Sequence, residues 1–427
     1  MADADPIDAH PSPTPDDGDP QAASERRQCS RHLLQHPLTC AEHDPELFRL
    51  IRRHEAALDR WFTQRLGYRL HIDADTARLF KTGVVPEHRP LRTHTDRALT
   101  PQEHTLLALA LAATAAGPAI ISLRDLVAEV RSAAAEADIA LRDDHIERRA
   151  FVAVLRWMID HGLASELYEH IDAYVADSEA DAVLRLRPDR IALLPIPALI
   201  GAEDPAALLA RADRRSNTRQ WMRCRLVEDP VVYRDDLDAS EWLELRRRLS
   251  AEERFVDEMF GLVLEARAEG VAAIDPTGAL ADHRFPTTGT VGHAALLLIG
   301  RLAADEHGDT NGDTSGDGDG SGDDGPRQPG LTMDELAAHL GALIEQFGRG
   351  WAKDLTDSAP KLTRRVVDLL VALRLGEVDP GSNRPEHGAA PQDDRPRFHL
   401  RPAAARFVAI EPEPVAAGEQ VEQGGLW

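Results

Sequence analysis

Glu147-Arg-Arg-Ala-Phe-Val-Ala-Val-Leu-Arg-Trp157, followed by Val183-Leu-Arg-Leu-Arg-Pro188, has a second copy later in the same chain: Thr363-Arg-Arg-Val-Val-Asp-Leu-Leu370, followed by Arg397-Phe-His-Leu-Arg-Pro402. In each copy an arginine pair, Arg148-Arg149 or Arg364-Arg365, opens a run whose apolar residues recur at helical spacing. Each copy then closes with an alternating strand that ends in Leu-Arg-Pro. A period near 3.6 marks a half-buried helix, and a period of two marks a half-buried strand. Agreement in element order, arginine position and ending identifies an internal repeat.

Reading outward, the first copy occupies 100–199. Thr100-Pro101 is a helix start, with Thr as cap and Pro at the first helical position. Leu106, Leu107, Leu109 and Leu111 follow, and Gly117 stops the helix. Ser122 opens a second helix, with Leu123, Leu126, Val127 and Val130 on one face, and a third runs from near Asp143 to Gly162. The second copy occupies 288–410. It has a helix over 290–302, one capped by Thr332, and a third from Ser358 or Pro360 to Gly376. Three helices closed by a β-ribbon give the winged form of helix-turn-helix. The expected fold is therefore α+β, mainly α, with tandem winged-helix domains and short β-ribbons.

Two further regions accompany them. Residues 31–99 read as an N-terminal helical and strand segment, with one amphipathic helix over 46–66. Residues 200–287 read as an Arg-rich helix over 205–225, a long helix or helix pair over 240–268, and a hairpin of 271–275 with 279–285. Residues 1–30 are expected as a disordered acidic tail, 304–330 as an Asp/Gly linker interrupting the second winged helix, and 411–427 as a disordered tail.

Formal charge is −24, which excludes a uniformly basic nucleic-acid coat. Much of the acid sits in the N-terminal tail and the Asp/Gly linker, so a locally basic face is compatible with it. The most apolar stretch, 106–121, is Ala-rich and broken by Gly117-Pro118, so no membrane span is expected and the chain reads as cytoplasmic. There is no P-loop, no G-x-G-x-x-G after a strand, no G-x-S-x-G and no H-E-x-x-H, and no cofactor is expected.

Three sets of residues could hold a metal ion. Cys29, His32, Cys40 and His43 offer two thiolates and two imidazoles, but the same stretch carries the apolar residues of a docked segment. Asp313, Ser315, Asp317, Gly318, Asp319, Ser321 and Asp324 mimic a calcium loop, as low-complexity Asp/Gly runs do freely. Asp235, Asp236 and Asp238 could hold magnesium, although acids before Ser240 suit a helix N-terminus. None is taken as a metal site.

Arginine is the more informative residue. Arg211, Arg214, Arg215, Arg219, Arg223 and Arg225 lie close together, with 211, 215, 219 and 223 on one face if the helix is continuous. A guanidinium binds phosphate oxygens bidentately, so this stripe could follow a DNA backbone. It could equally pair with the carboxylates of an acidic protein. On the third helices, Arg148, Arg149 and Arg156, and Lys361, Arg364 and Arg365, occupy the element that enters the major groove in DNA-reading winged helices.

Several stretches resemble one actinobacteria-rich family. They are Arg52-Arg-His-Glu55, Trp61-Phe62, Leu66-Gly-Tyr-Arg69, Glu147 to Trp157 as quoted above, Leu226-Val-Glu-Asp-Pro-Val-Val-Tyr233, Ala268-Glu-Gly-Val271, Asp275-Pro276 and Arg284-Phe-Pro, with Gly289-Thr290 just beyond. That family is encoded in four-gene cassettes, similar to Wadjet-type anti-plasmid defence systems, beside an SMC-like ATPase and a Toprim-type protein. By cassette position this chain resembles the MukE-like (KITE) subunit. The resemblance implies a non-enzymatic tandem winged-helix protein that dimerises, binds a kleisin-like subunit, and helps the ATPase hold or extrude DNA. It transfers no catalytic residue. A free-standing winged-helix transcriptional regulator and a metal-dependent nuclease remain as alternatives.

Overall fold

Asp19 caps a helix by accepting a hydrogen bond from the Gln21 N–H, and α1 (Pro20–Gln35) follows. The computed structural model describes residues 19–81, 91–93, 95, 97–115, 117–212, 217–282, 284–309, 330–379 and 395–408. They form two compact units, 1–280 and 281–427. Ordered structure thus begins before Arg31. Composition favoured a tail there, but Ala22, Cys29, Leu33 and Leu34 are buried, and that packing overrides weak local preference.

The first unit holds three modules. The first is α1, β1 (Leu38–Cys40), α2 (Pro45–Arg53), α3 (Glu55–Trp61), a π-helical turn (Phe62–Leu66), β2 (Arg69–Ile72) and β3 (Thr76–Phe80). The single helix expected over 46–66 is broken at His54, whose ring is buried against Glu25. The second module is α4 (Pro101–Ala115), β4 (Ile120–Ser122), α5 (Leu123–Glu136), α6 (His145–Asp160), β5 (Ala164–Tyr168), α7 (Ala173–Ala176), β6 (Val183–Leu186) and α8 (Pro188–Ile191). The third is α9 (Pro205–Ala212), α10 (Thr218–Glu228), β7 (Val232–Tyr233), α11 (Ala239–Phe260), β8 (Val263–Ala266) and β9 (Gly270–Ile274). The second unit is one module: α12 (Thr290–Asp309), β10 (Leu331–Thr332), α13 (Met333–Phe347), α14 (Lys353–Thr356), α15 (Ala359–Ala372), β11 (Gly376–Asp379) and β12 (Arg397–Leu400).

The two-copy repeat therefore understates the regularity. Among the described residues each module has a three-stranded antiparallel sheet, and in all four the third strand lies between the first and the second. In every module the helical segment ahead of the hairpin also ends on a left-handed residue. Gly67 (φ 68°), Gly162 (φ 69°), Gly261 (φ 65°) and Arg374 (φ 55°) take the left-handed conformation. The next residue, Tyr68, Leu163, Leu262 or Leu375, is buried, and its N–H returns to the helix at Phe62, Met158, Val256 or Leu370. At Gly162 and Arg374 this is the Schellman ending, and at Gly67 and Gly261 a version one residue wider; both satisfy orphan carbonyls and drive an apolar residue inward. The Leu-Arg-Pro ending is equally structural. The Arg187 N–H donates to Leu163 O, the Arg401 N–H donates to Leu375 O, and the proline opens a helical turn.

Three local expectations are corrected. The hairpin of the third module pairs β9 with β8, not 271–275 with 279–285, because the left-handed Gly261 stops α11 early. Asp275 instead closes a loop by accepting from Thr277, Leu280 and Arg31. The Arg-rich segment is two helices, α9 and α10, rather than one over 205–225. The stop of α15 is Arg374 rather than Gly376, whose own role is close approach: a Cβ there would lie 2.4 Å from the Phe398 ring.

The second module and the second unit each have a core of their own. The first and third modules share one, in which Cys29, Leu33, Phe62 and Leu66 meet Cys224, Phe255, Val256 and Phe260. Burying a leucine of this kind contributes about 1.5–3 kcal/mol. Polar contacts tie the same seam: Ser30 Oγ donates to Met259 O, and Arg31 donates to Phe260 O at 2.7 Å and to Asp275 at 2.9 Å. Burial alone would raise the Asp275 carboxyl, but Arg31 and the N–H groups of Leu280 and Thr277 outweigh it and hold the group below the usual carboxylate range. The second module is anchored to the first through Arg190, which is 1% exposed and donates to Thr76, Gly162 O, Glu42 and Asp75. No helix of the described residues is long and apolar enough to cross a membrane.

Candidate nucleic-acid interface

In the second unit, Ser358 caps α15 by accepting from the Lys361 N–H, and Pro360 sits in its first turn. Leu362, Val366 and Leu370 are fully buried against α12 and α13 and fix the rotation of the helix. That rotation puts Lys361, Arg364, Arg365 and Asp368 on the exposed face. Lys361 Nζ donates to Asp354 O and Oδ2, which pulls the Asp354 carboxyl below its ordinary range. Arg364 and Arg365 have no hydrogen-bond or ion-pair partner among the described residues. Arg349 and Lys353, on the connection ahead of α15, are exposed too. Sequence reasoning passed over both, because they lie outside the helical period; a search for basic residues flanking the third helix would have found them.

In the second module, Asp144 caps α6 by accepting from the Glu147 N–H. Phe151, Val154, Leu155 and Met158 bury one face. Arg149 is exposed, Arg148 is half-buried, and Ile146 is 68% exposed beside them. Arg156 is engaged by neighbouring carboxylates. It pairs with Asp172 and lies 3.6 Å from Glu166, on the connection that follows α6. The Asp172 hydrogen bond raises its pKa further.

The Arg-rich segment does not form the expected stripe. Arg211 is exposed and donates to Ile200 O, while Arg214 and Arg215 lie outside the described residues. Arg219 lies 3.7 Å from Glu244. Arg225 pairs with Asp229 and Asp236 and sits over the Trp221 ring. Arg223 is 1% exposed, donates twice to Glu252 at 2.6 and 3.0 Å, and stacks on Phe255. A guanidinium so enclosed cannot follow a DNA backbone, which corrects the reading of Arg223. Arg219, Arg223 and Arg225 serve the acidic protein's own carboxylates.

The metal candidates separate as well. Cys29 lies in the shared core, where burial pushes its thiol up to about 12. His32 Nε2 meets Thr39 Oγ1 at 3.0 Å, and the Cys40 thiol faces the His161 carbonyl. Asp236 accepts from the Tyr233 N–H and from Arg225, and Asp238 is the cap of α11. The calcium-like loop lies outside the described residues. Among the described residues no three of His, Cys, Asp and Glu are arranged to hold a metal ion.

The cationic face that survives is the start of α15, where Lys361, Arg364 and Arg365 are exposed. No curated protein matches this sequence. Across residues 30–409 it matches a family described as "Protein of unknown function (DUF2398)", and the chain belongs to that family.

Proposed function

We propose that this protein is a non-catalytic, KITE-like (MukE-like) subunit of a bacterial SMC-type complex, acting in defence against plasmids or other foreign DNA. Its modules act as winged helices, each a small helical core with a three-stranded sheet. One surface docks a kleisin-like subunit beside the SMC-like ATPase and the Toprim-type protein, the protein works as a homodimer, and the start of α15 touches DNA phosphates. The observation that carries the DNA part is the pair Arg364 and Arg365, exposed on α15 and, among the described residues, with no carboxylate at ion-pair distance. Phosphate contact of this kind is blind to sequence and falls steeply with salt.

Duplex binding measured across a salt series tests it. Lys361→Ala, Arg364→Ala and Arg365→Ala together should weaken binding on every sequence. The magnitude of the salt slope should fall by about one for each phosphate no longer held. Arg211→Ala should leave both unchanged. Binding confined to one operator sequence would favour a free-standing regulator instead. Failure to co-purify with the kleisin-like neighbour would end the subunit assignment.

A further inference from the structure

At the end of α13 the second unit carries an aromatic pair that its core does not take in. Phe347, the last residue of the helix, is 36% exposed. The exposed His293 ring of α12 stands beside it, with ring centroids 6.2 Å apart and planes at 60°. Trp351 is buried next to His293, and its indole N–H donates to His293 Nδ1 at 3.2 Å. In the neutral imidazole that bond leaves the remaining proton on Nε2. The Nε2–H has no acceptor among the described residues, so a fixed ring presents an unused donor beside Phe347.

The connection that follows is short, basic and pinned. Gly348-Arg-Gly350 forms a 3-10 turn, closed by the Trp351 N–H on Gly348 O. The Ala352 N–H donates to Thr290 Oγ1 at 2.8 Å, which ties the connection to the first residue of α12. Arg349 and Lys353 are exposed, and neither side chain has a hydrogen-bond or ion-pair partner among the described residues. Glu345 and Asp357, exposed acids close to them in sequence, pair with neither, and Asp354 is held by Lys361. Gly350 leaves the turn bare: a Cβ there would meet nothing within 4 Å.

These features suit one ligand together. An aromatic face open to solvent stacks on a nucleobase. The bases of a duplex already stack on one another, so such a face serves an unpaired base. A ring N–H complements the oxygen acceptors on a base edge, and cations on either side of the turn match the flanking phosphates. We propose that Phe347, His293, Arg349 and Lys353 bind an unpaired base of single-stranded DNA with its neighbouring phosphates. The choice of DNA rests on the reading that this unit contacts DNA. The residues and the form of DNA differ from those of the α15 contact, so the two readings fail separately.

The test uses the full chain and a fluorescein-labelled oligo-dT of about twelve nucleotides, followed by anisotropy across a salt series. A mixed-sequence duplex is run in parallel. Phe347 lies outside the core of its unit, and Phe347→Ala should weaken oligo-dT binding about tenfold at every salt concentration. The salt slope and duplex binding should stay as they are, and Phe347→Tyr should bind as the parent does. Arg349→Ser should instead lower the magnitude of the slope by about 0.7, the share of one single-strand phosphate. Absent or non-saturable oligo-dT binding, equal binding by Phe347→Ala and the parent, or tighter binding of oligo-rU overturns the proposal. If Phe347→Ala does not fold, a strand carrying 5-iodouracil is photo-cross-linked to the unaltered protein. A cross-link at Phe347 or His293 supports the site, and one confined to other residues overturns it. Duplex binding that ignores the Lys361, Arg364 and Arg365 substitutions, while oligo-dT binding falls with Phe347→Ala, sinks the α15 contact and leaves this site standing. The reverse pattern sinks this site alone.

Discussion

Arg374 takes the left-handed conformation at the position where the three sister modules have glycine. A side chain there costs about 1–2 kcal/mol relative to glycine, less whatever its own contacts return. Arg374→Gly should therefore raise the chemical-denaturation midpoint of the second unit, with a gain of about 1 kcal/mol. Gly162→Ala should do the opposite in the first unit and by more. Its Cβ would lie 2.7 Å from Cys40 Sγ and 2.9 Å from Arg190 Nη1, so both strain and collision oppose it. The buried pair Arg223–Glu252 gives a third residue-level prediction. Arg223→Ala or Glu252→Ala alone should cost about 3–5 kcal/mol, because each strands a buried charge. The double variant should cost clearly less than their sum, which a double-mutant cycle in urea measures.

Elements explain which parts of the fold were legible in the sequence. α5, α6, α13 and α15 could be read closely because each carries its own cap (Ser122, Asp144, Thr332, Ser358) and an apolar stripe at helical period. α1 and the four-fold repetition could not. The burial of α1 depends on Met259, Phe260 and Asp275, far along the chain, and a distant partner leaves no local period. The candidate DNA face was half legible. The pattern placed Lys361, Arg364 and Arg365 on a third helix, but could not show that Arg156, Arg223 and Arg225 would be claimed by Asp172, Glu252 and Asp229. The seam of α1 with β1 carries a pH dependence. Burial, with His36 beside it, holds His32 at about 4, and burial lowers His36 too. A histidine held down in the folded state resists protonation that the unfolded chain accepts. Its contribution is intact above about pH 6.5, erodes as the pH falls, and is lost through about pH 4. Urea midpoints at pH 7.5 and 5 should fall less between the two for His32→Gln than for the parent chain.

At the scale of the molecule, the two compact units set what can be separated. Residues 281–427 hold a complete core and should melt cooperatively when produced alone, keeping whatever DNA binding α15 confers. A fragment ending at residue 200 should fare worse, because the core around Cys29 and Leu33 is finished by α10 and α11. Thiol labelling reads this directly. Cys29, 0% exposed in the full chain, should react slowly with an aromatic disulfide reagent there and fast in the 1–200 fragment.

The meeting of Ser30 with Met259, 229 positions apart, also sets a timetable for synthesis. The leading helix leaves the ribosome with its greasy side bare, and the whole second module can close before that side finds cover. Until the distal half of α11 emerges, nascent-chain holdases have a standing target in Leu33 and Leu34. Slow codons placed ahead of that point would lengthen the wait and lower the yield of folded protein, without altering a single amino acid.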